Sequence, residues 1–320
     1  MEKEYKYMVS VVIVTYNQEQ FIRQTLESVF AQQTEYPFEV IVGEDCSSDR
    51  TNEICQEFAR KYPNMLLLSR NPNMGIVPNW VDCVNHASGK YFMQLDGDDY
   101  WHNPNKIQMQ VEYMETHPEC VFCHTDKDKL SHKTGTIIHN LNTSRGICPP
   151  EGKIQKNILT GNAHIASNSC CYRKDVYDKY VPWKKFVELG FLGADYPTWI
   201  VMSAYGDVHY IPESTYTYRV GQESVTRQSN YEKIRHRYQV EKVQAKFFYN
   251  MFPEWGKFND EEFYDNYAWH EMLKAAYRNN DYQSARQFAQ KDHFSDWRTK
   301  MACTWITFQI GRLYLKMTGK

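Results

Sequence analysis

Four short apolar runs, each followed by residues at helical spacing, constrain the first third of the chain to an alternation of strand and helix. Val9 to Val14 (VSVVIV) is a β-branched run of the kind that fills a strand buried on both faces. Behind it, Phe21, Ile22, Leu26, Val29 and Phe30 recur at helical intervals between Glu19 and Gln33. Phe38 to Val42 gives a second strand, and Ser47, Ser48 and Asp49 offer N-caps to a helix reaching Tyr62. Met65 to Leu68 is a third strand, followed by a helix from Val77 to Ala87 with Gly89 as its C-cap. Tyr91 to Leu95 is a fourth, and Pro104 sits near the start of a helix running to Thr116. This alternation predicts an α/β fold, with a Rossmann-like, mostly parallel sheet flanked by helices. Open sheets of that type bind ligands beyond the carboxyl ends of their strands.

Past Ser131 the punctuation changes. Lys133 to Pro150 is rich in Thr, Asn, Gly and Pro and reads as a loop. Ala163 to Tyr172 is expected to return to the sheet as a strand, and Pro197 to Ala204 to form a short helix with Pro at its first position. Val208 to Ile211 and Thr215 to Val220 read as two strands, and from Tyr231 onward the pattern is helical. The predicted organisation is an α/β domain over residues 1–225 and a helical C-terminal extension over residues 226–320.

The chemistry concentrates at the strand ends. Those ends read Thr15-Tyr16-Asn17, Gly43-Glu44-Asp45, Ser69-Arg70-Asn71 and Asp96-Gly97-Asp98-Asp99. Two of the four carry acid clusters, so one rim of the sheet is strongly negative unless a cation sits there. In Leu95-Asp96-Gly97-Asp98-Asp99-Tyr100-Trp101 a strand delivers Asp96 to the edge, Gly97 lets the chain turn, and Asp98 then faces the same pocket. Two hard carboxylates with open positions suit Mg2+ or Mn2+, completed by diphosphate oxygens and water. Such an ion neutralises charge on a departing diphosphate. The plainer alternative is an acidic turn in which Asp98 or Asp99 caps a helix. In Glu44-Asp45-Cys46-Ser47-Ser48-Asp49 a carboxylate can accept the uracil N3–H, with Asp45 as the binder, while Ser47 to Asp49 cap the next helix.

Other classes fit less well. The formal net charge of −2 spreads no basic field that would attract nucleic acid. Thr15-Tyr16-Asn17-Gln18-Glu19 lacks the glycine- and base-rich loop a nucleotidyltransferase would use for triphosphate. No G-x-G-x-x-G follows the first strand, against a dinucleotide oxidoreductase. Aromatics reach 15%, with 24 Tyr and 8 Trp, and either line a sugar site or fill core and surface. No run approaches the ~18 apolar residues of a bilayer span, and the charged segment Met1 to Tyr7 is unlike a secretory leader. The nine cysteines then read as free thiols in a reducing cytosol. Cys120-Val121-Phe122-Cys123-His124 has the spacing of c-type haem attachment, which needs export; Cys120 to Phe122 reads instead as a short apolar strand.

Val9 to Gln33, Val40 to Thr51 (VIVGEDCSSDRT) and Gly89 to Trp101 (GKYFMQLDGDDYW) together resemble family-2 glycosyltransferases of the GT-A fold, in order and in spacing. The resemblance covers about the first 220 residues and is most specific in the first 110. It implies an inverting, metal-dependent transferase that moves a sugar from a nucleotide-sugar donor, a UDP-sugar, to a saccharide or lipid-linked saccharide of a surface glycan. It implies that Tyr16 stacks near the base, Asp45 contacts the uracil, Asp96 lies near ribose and metal, and Asp98 holds Mn2+ or Mg2+. It also implies a catalytic base at the opening of a later helix. Gly193-Ala194-Asp195-Tyr196-Pro197 matches, with Asp195 as the base and Ala194 in place of the family's frequent first acid. In Tyr216 to Thr226, which resembles the segment closing over the diphosphate, Gly221 stands where many relatives carry a metal-binding His. Arg219 there reads equally as a phosphate contact or as an ordinary strand residue. A catalytically silent nucleotide-sugar or glycan-binding module is the rival reading, favoured by Ala194 and Gly221.

The last segment places Trp297, Met301, Trp305, Phe308 and Ile310 near one another on a helix, with Arg298, Lys300, Arg312, Lys316 and Lys320 adding charge. It reads either as packing against the catalytic domain or as peripheral contact with an anionic membrane. The second suits a cytoplasmic enzyme working at the inner face of the cell membrane.

Overall fold

The computed structural model describes residues 5–159, 163–220, 230–258, 261–294 and 296–318. Strand and helix alternate as β1 (Val9–Thr15), α1 (Ile22–Phe30), β2 (Phe38–Glu44), α2 (Thr51–Lys61), β3 (Met65–Ser69), α3 (Ile76–His86) and β4 (Tyr91–Asp96). β1 runs parallel between β2 and β4, and β3 extends the sheet beyond β2. Val9, Val11, Ile13, Val40, Val42, Met93 and Leu95 are all buried, each such side chain contributing about 1.5–3 kcal/mol. α1 turns Ile22, Leu26 and Val29 inward, and α2 turns Ile54, Cys55 and Phe58.

Two glycines set how closely these layers approach. A Cβ on Gly43 would lie 2.4 Å from Asn79 Oδ1 and 2.5 Å from Cys83 Sγ, so α3 can seat on β2 only over a glycine. Gly89, expected as a C-cap, has a different role: α3 ends at His86 with Ala87 as its C-cap, and a Cβ at 89 would stand 2.7 Å from the Ser10 main-chain nitrogen.

The chain continues through β5 (Tyr100–Trp101), α4 (Lys106–Thr116), β6 (Cys120–Ser131), β7 (Ile137–Ile138), α5 (Gln155–Leu159), β8 (Cys171–Arg173), α6 (Lys174–Tyr180), α7 (Trp183–Glu188), α8 (Asp195–Met202) and β9 (Asp207–Val220). The sheet order is β3-β2-β1-β4-β8-β6-β9-β5, with β7 beside β6. The architecture is the expected α/β one: a mostly parallel half, then a mixed half.

The mixed half departs from expectation in three places. β6 spans 12 residues, running on through Asp126, Lys127 and Asp128. Its acids are satisfied locally: Asp126 accepts the Asn142 and Thr143 N–H groups, and Asp128 the Asn140 N–H and the Ser214 hydroxyl. β9 is one strand of 14 residues rather than two, because register shifts against β6 absorb its irregular middle. Of the segment 163–172 only Cys171 and Tyr172 are strand, as the start of β8, preceded by a 3-10 turn at Ser167–Ser169. Cys120, Cys123 and His124 are buried within β6, as the strand reading of that motif requires.

The chain divides into two compact units, one of residues 1–187 with 193–222, the other of 188–192 with 223–320. The second holds α9 (Tyr231–Met251), α10 (Glu261–Asn279), α11 (Tyr282–Ala289), α12 (Trp297–Met301) and α13 (Trp305–Thr318). Ile234, Tyr238, Met272, Leu273, Tyr277 and Phe308 are among its core. The single helix expected to carry Trp297 through Ile310 is two, broken between α12 and α13. No helix among the described residues is long and apolar enough to cross a membrane.

Candidate functional site

Three neighbouring strand tips frame the site. Thr15 pairs with Glu44 on one side, and Val14 with Asp96 on the other. At about 4.8 Å per strand the tips of β2 and β4 stand about 10 Å apart. Tyr16, which follows β1 between them, is 50% exposed.

The β1 and β2 tips are laced together. Asn17, with φ 53°, accepts the Ser48 N–H at 2.8 Å and donates its own N–H to Ser47 Oγ at 2.9 Å. The Glu19 N–H reaches Asp49, and the Arg50 N–H reaches Glu19. Of the three expected caps of α2, Asp49 accepts the Thr51 N–H at 3.0 Å, whereas the serines tie to Asn17 instead.

Asp45 is buried, and its carboxylate organises the loop after β3. One oxygen accepts the Met74 N–H at 2.7 Å, the other the Gly75 N–H at 2.9 Å, and the Asn73 amide donates to the Asp45 carbonyl at 2.6 Å. Each carboxylate oxygen retains a second lone pair for a further donor.

At the β4 tip the Asp99 N–H closes a turn onto the Asp96 carbonyl at 3.0 Å. Gly97 fits where a Cβ would lie 2.6 Å from Thr15 Oγ1 and 2.7 Å from Thr15 Cβ. The Thr25 hydroxyl reaches the Gly97 and Asp99 carbonyls at 2.9 and 2.6 Å. Arg219 clamps the turn from β9: its guanidinium donates to the Asp98 carbonyl and to Gln24, sandwiched near the Phe21 and Tyr100 rings. Those donors hold the turn, so the guanidinium is engaged in structure. Gly221 lies outside the described residues.

The carboxylates differ in what they are free to do. Asp99 is buried with both oxygens occupied, one accepting the Arg219 N–H at 2.8 Å and the other the Asn168 amide at 2.7 Å. The same Asn168 nitrogen reaches Asp96 at 3.1 Å. Among the described residues, no other residue donates to the Asp98 carboxylate. Burial, then the Asp98 charge, pushes the Asp96 carboxyl up to about 7, with Asp195 adding to the push. Burial also raises Asp98, and raises Asp99 well above the usual carboxylate range. Asp195 opens α8, with Ala194 as N-cap and Pro197 inside the first turn rather than at its start. Its carboxylate accepts the Tyr196 N–H at 2.9 Å, and burial outweighs that bond and raises its pKa. Buried hard oxygens, with the Asp98 charge raising both Asp96 and Asp99, are a donor set suited to a divalent cation. Asp96 and Asp98 are the pair with capacity to spare.

Residues 10–181 match the family model described as Glycosyl transferase family 2. The chain belongs to this family. This family 2 glycosyltransferase is 30% identical over 214 residues to an uncharacterised protein of Mycobacterium tuberculosis, covering 66% of this chain and 58% of that protein. It thus spans under two thirds of that relative's length. Against the minor teichoic acid biosynthesis protein GgaB of Bacillus subtilis it is 32% identical over 99 residues, 31% of this chain and 11% of that one. Two solved structures align over nearly the whole chain. Residues 1–349 of S. aureus TarS with UDP-GlcNAc give a TM-score of 0.51 at 16% identity, covering 98% of this chain and 92% of that one. The mannosyltransferase PcManGT from Pyrobaculum calidifontis, with GDP-Man and Mn2+, gives 0.51 at 16% identity, covering 100% and 92%. The fold of this glycosyltransferase is GT-A.

Two contributors have no signal in the sequence pattern. Asn168 sits in the 3-10 turn before β8, in a segment that reads as strand. Lys106 is buried in α4 and donates to Gln110 Oε1 at 2.5 Å and to the Ser169 carbonyl at 3.0 Å, which fixes the turn carrying Asn168. Burial lowers the Lys106 pKa to about 8. Lysine is ordinarily a surface residue, so nothing in its spacing marks it as buried.

Proposed function

We propose that this glycosyltransferase is an inverting, metal-dependent enzyme that transfers a sugar from a UDP-sugar to a saccharide or lipid-linked saccharide acceptor of a surface glycan. The reading is supported by the β4 turn, where the Asn168 amide reaches both Asp96 and Asp99, and by the push that the Asp98 and Asp195 charges give the Asp96 carboxyl. The catalytic domain is assigned to residues 1–225 and the helical extension to residues 226–320.

In this account Asp96 and Asp98 would hold Mn2+ or Mg2+, which when bound supplies neutralising charge to the leaving diphosphate. Asp45 accepts the uracil N3–H on lone pairs left over from Met74 and Gly75, and the exposed Tyr16 ring offers its face to the base. Asp195 takes the acceptor hydroxyl proton. The acceptor oxygen then bonds to the anomeric carbon opposite the diphosphate, and the carbon–oxygen bond to the diphosphate breaks with its electron pair leaving on UDP. A carboxylate with a raised pKa is a better proton acceptor than one in water. UDP-GlcNAc in TarS and GDP-Man in PcManGT support a nucleotide-sugar donor, and the likeness to GgaB supports a surface-polymer acceptor.

Donor turnover by wild type and Asp195→Asn tests the reading. Loss of about 10²–10⁴-fold in kcat with UDP affinity retained is expected. A silent binding module, which Ala194 favours, predicts UDP binding with neither hydrolysis nor transfer by either form.

A further inference from the structure

α13 has one face that the described residues of its own unit leave exposed. On the inner face Phe308 is fully buried against Tyr277, with ring centroids 4.5 Å apart. Gly311 lets the helix approach so closely that a Cβ there would lie 2.9 Å from the Trp297 ring. On the outer face Ile306 is 67%, Ile310 53% and Leu313 59% exposed, with exposed Trp305 and Tyr314 at its borders. The spacing of four and three residues makes these aliphatics one stripe.

Charge names the occupant. Residues 296–320 hold Arg298, Lys300, Arg312, Lys316 and Lys320 against a single acid, Asp296, which pairs with Arg298 at 2.7 Å, in a chain whose net charge is −2. Arg312 donates to the Tyr277 carbonyl at 2.9 Å and to Gln309, both neutral, so its charge is not cancelled. A second copy docked on this face would bring like charges together. An anionic surface would not, and aromatic borders around an aliphatic stripe suit the boundary between headgroups and acyl chains. With 14 residues the helix is about 21 Å long, short of the ~30 Å needed to span.

We propose that α13 lies in the interface of an anionic membrane, with Ile306, Ile310 and Leu313 below the headgroups. The full chain is floated with vesicles of phosphatidylcholine alone or mixed with phosphatidylglycerol. Wild type is expected to partition into the anionic vesicles at least about tenfold better, and to release as salt is raised. The triple variant Ile306→Ser, Ile310→Ser, Leu313→Ser is expected to lose about tenfold or more in partition while its UDP binding and unfolding temperature stay unchanged. The charge variant Lys300→Glu, Lys316→Glu, Lys320→Glu gives the same loss without touching the apolar stripe. Partition equal on both vesicle types, or equal in wild type and both variants, overturns the proposal. So does absence of vesicle binding together with self-association that the serine variant abolishes. Intact UDP binding in either case leaves the glycosyltransferase reading untouched.

Discussion

The side-chain nitrogen of Asn168 lies 2.7 Å from a carboxylate oxygen of Asp99, and the same nitrogen reaches Asp96 at 3.1 Å. One amide thus holds the two carboxylates that flank the β4 turn. An amide donor favours their ionised forms against the burial that opposes them. Replacing Asn168 with Ala is expected to weaken Mn2+ binding about 10–100-fold near neutral pH, with part of the affinity returning at higher pH. Calorimetric Mn2+ titration across pH checks this, and unchanged affinity would show that Asn168 acts only in packing.

The pH dependence of metal binding follows from Asp96. Its folded pKa, pushed up to about 7, lies above its ordinary value of 3.8. In the metal-free protein the stabilisation linked to that proton is therefore complete below about 3.8 and lost as pH rises through about 7. A cation reverses the balance by replacing the proton. The rise in melting temperature produced by Mn2+ is expected to be small near pH 5 and to grow up to about pH 8, as scanning fluorimetry at matched metal concentration would show.

His124 predicts an opposite trend in acid. It is buried in β6, neither ring nitrogen has a hydrogen-bond partner among the described residues, and burial lowers its pKa to about 3. The unfolded chain takes up a proton below about 6.5 while the folded one does not, so stability contributed above that pH is lost as pH falls toward about 3. His124→Leu removes the titrating group at similar volume. Its urea midpoint is expected to fall less than that of wild type between about pH 7.5 and 5; parallel falls would place the acid sensitivity elsewhere.

The sheet's first four strands are legible because Val9 to Val14 and its three successors are continuous apolar runs, and a strand buried on both faces needs that pattern. The tips follow from the runs, which is how Asp45, Asp96 and Asp98 come to notice. β6 and β9 are harder to read. Asp126 and Asp128 sit in mid-strand because backbone N–H groups of a neighbouring loop satisfy them, a long-range fact invisible to local periodicity. The turn carrying Asn168 is fixed by Lys106 and Gln110 from a distant helix, so the segment's own β-compatible composition misleads. Gly89 misleads similarly, since its reason is a close approach to β1 rather than the end of α3. In the tail, helical spacing from Trp297 to Ile310 conceals a break between α12 and α13.

The central claim is that Asp98, with Asp96, grips the donor's diphosphate through a divalent cation. Thermal shift by UDP with Mn2+ or with chelator, on wild type and Asp98→Ala, tests it most directly. The account predicts stabilisation of wild type by UDP with Mn2+, exceeding that by GDP or CDP, little shift with chelator, and almost none in Asp98→Ala under either condition. Equal stabilisation by UDP with and without metal, unchanged in Asp98→Ala, would contradict it.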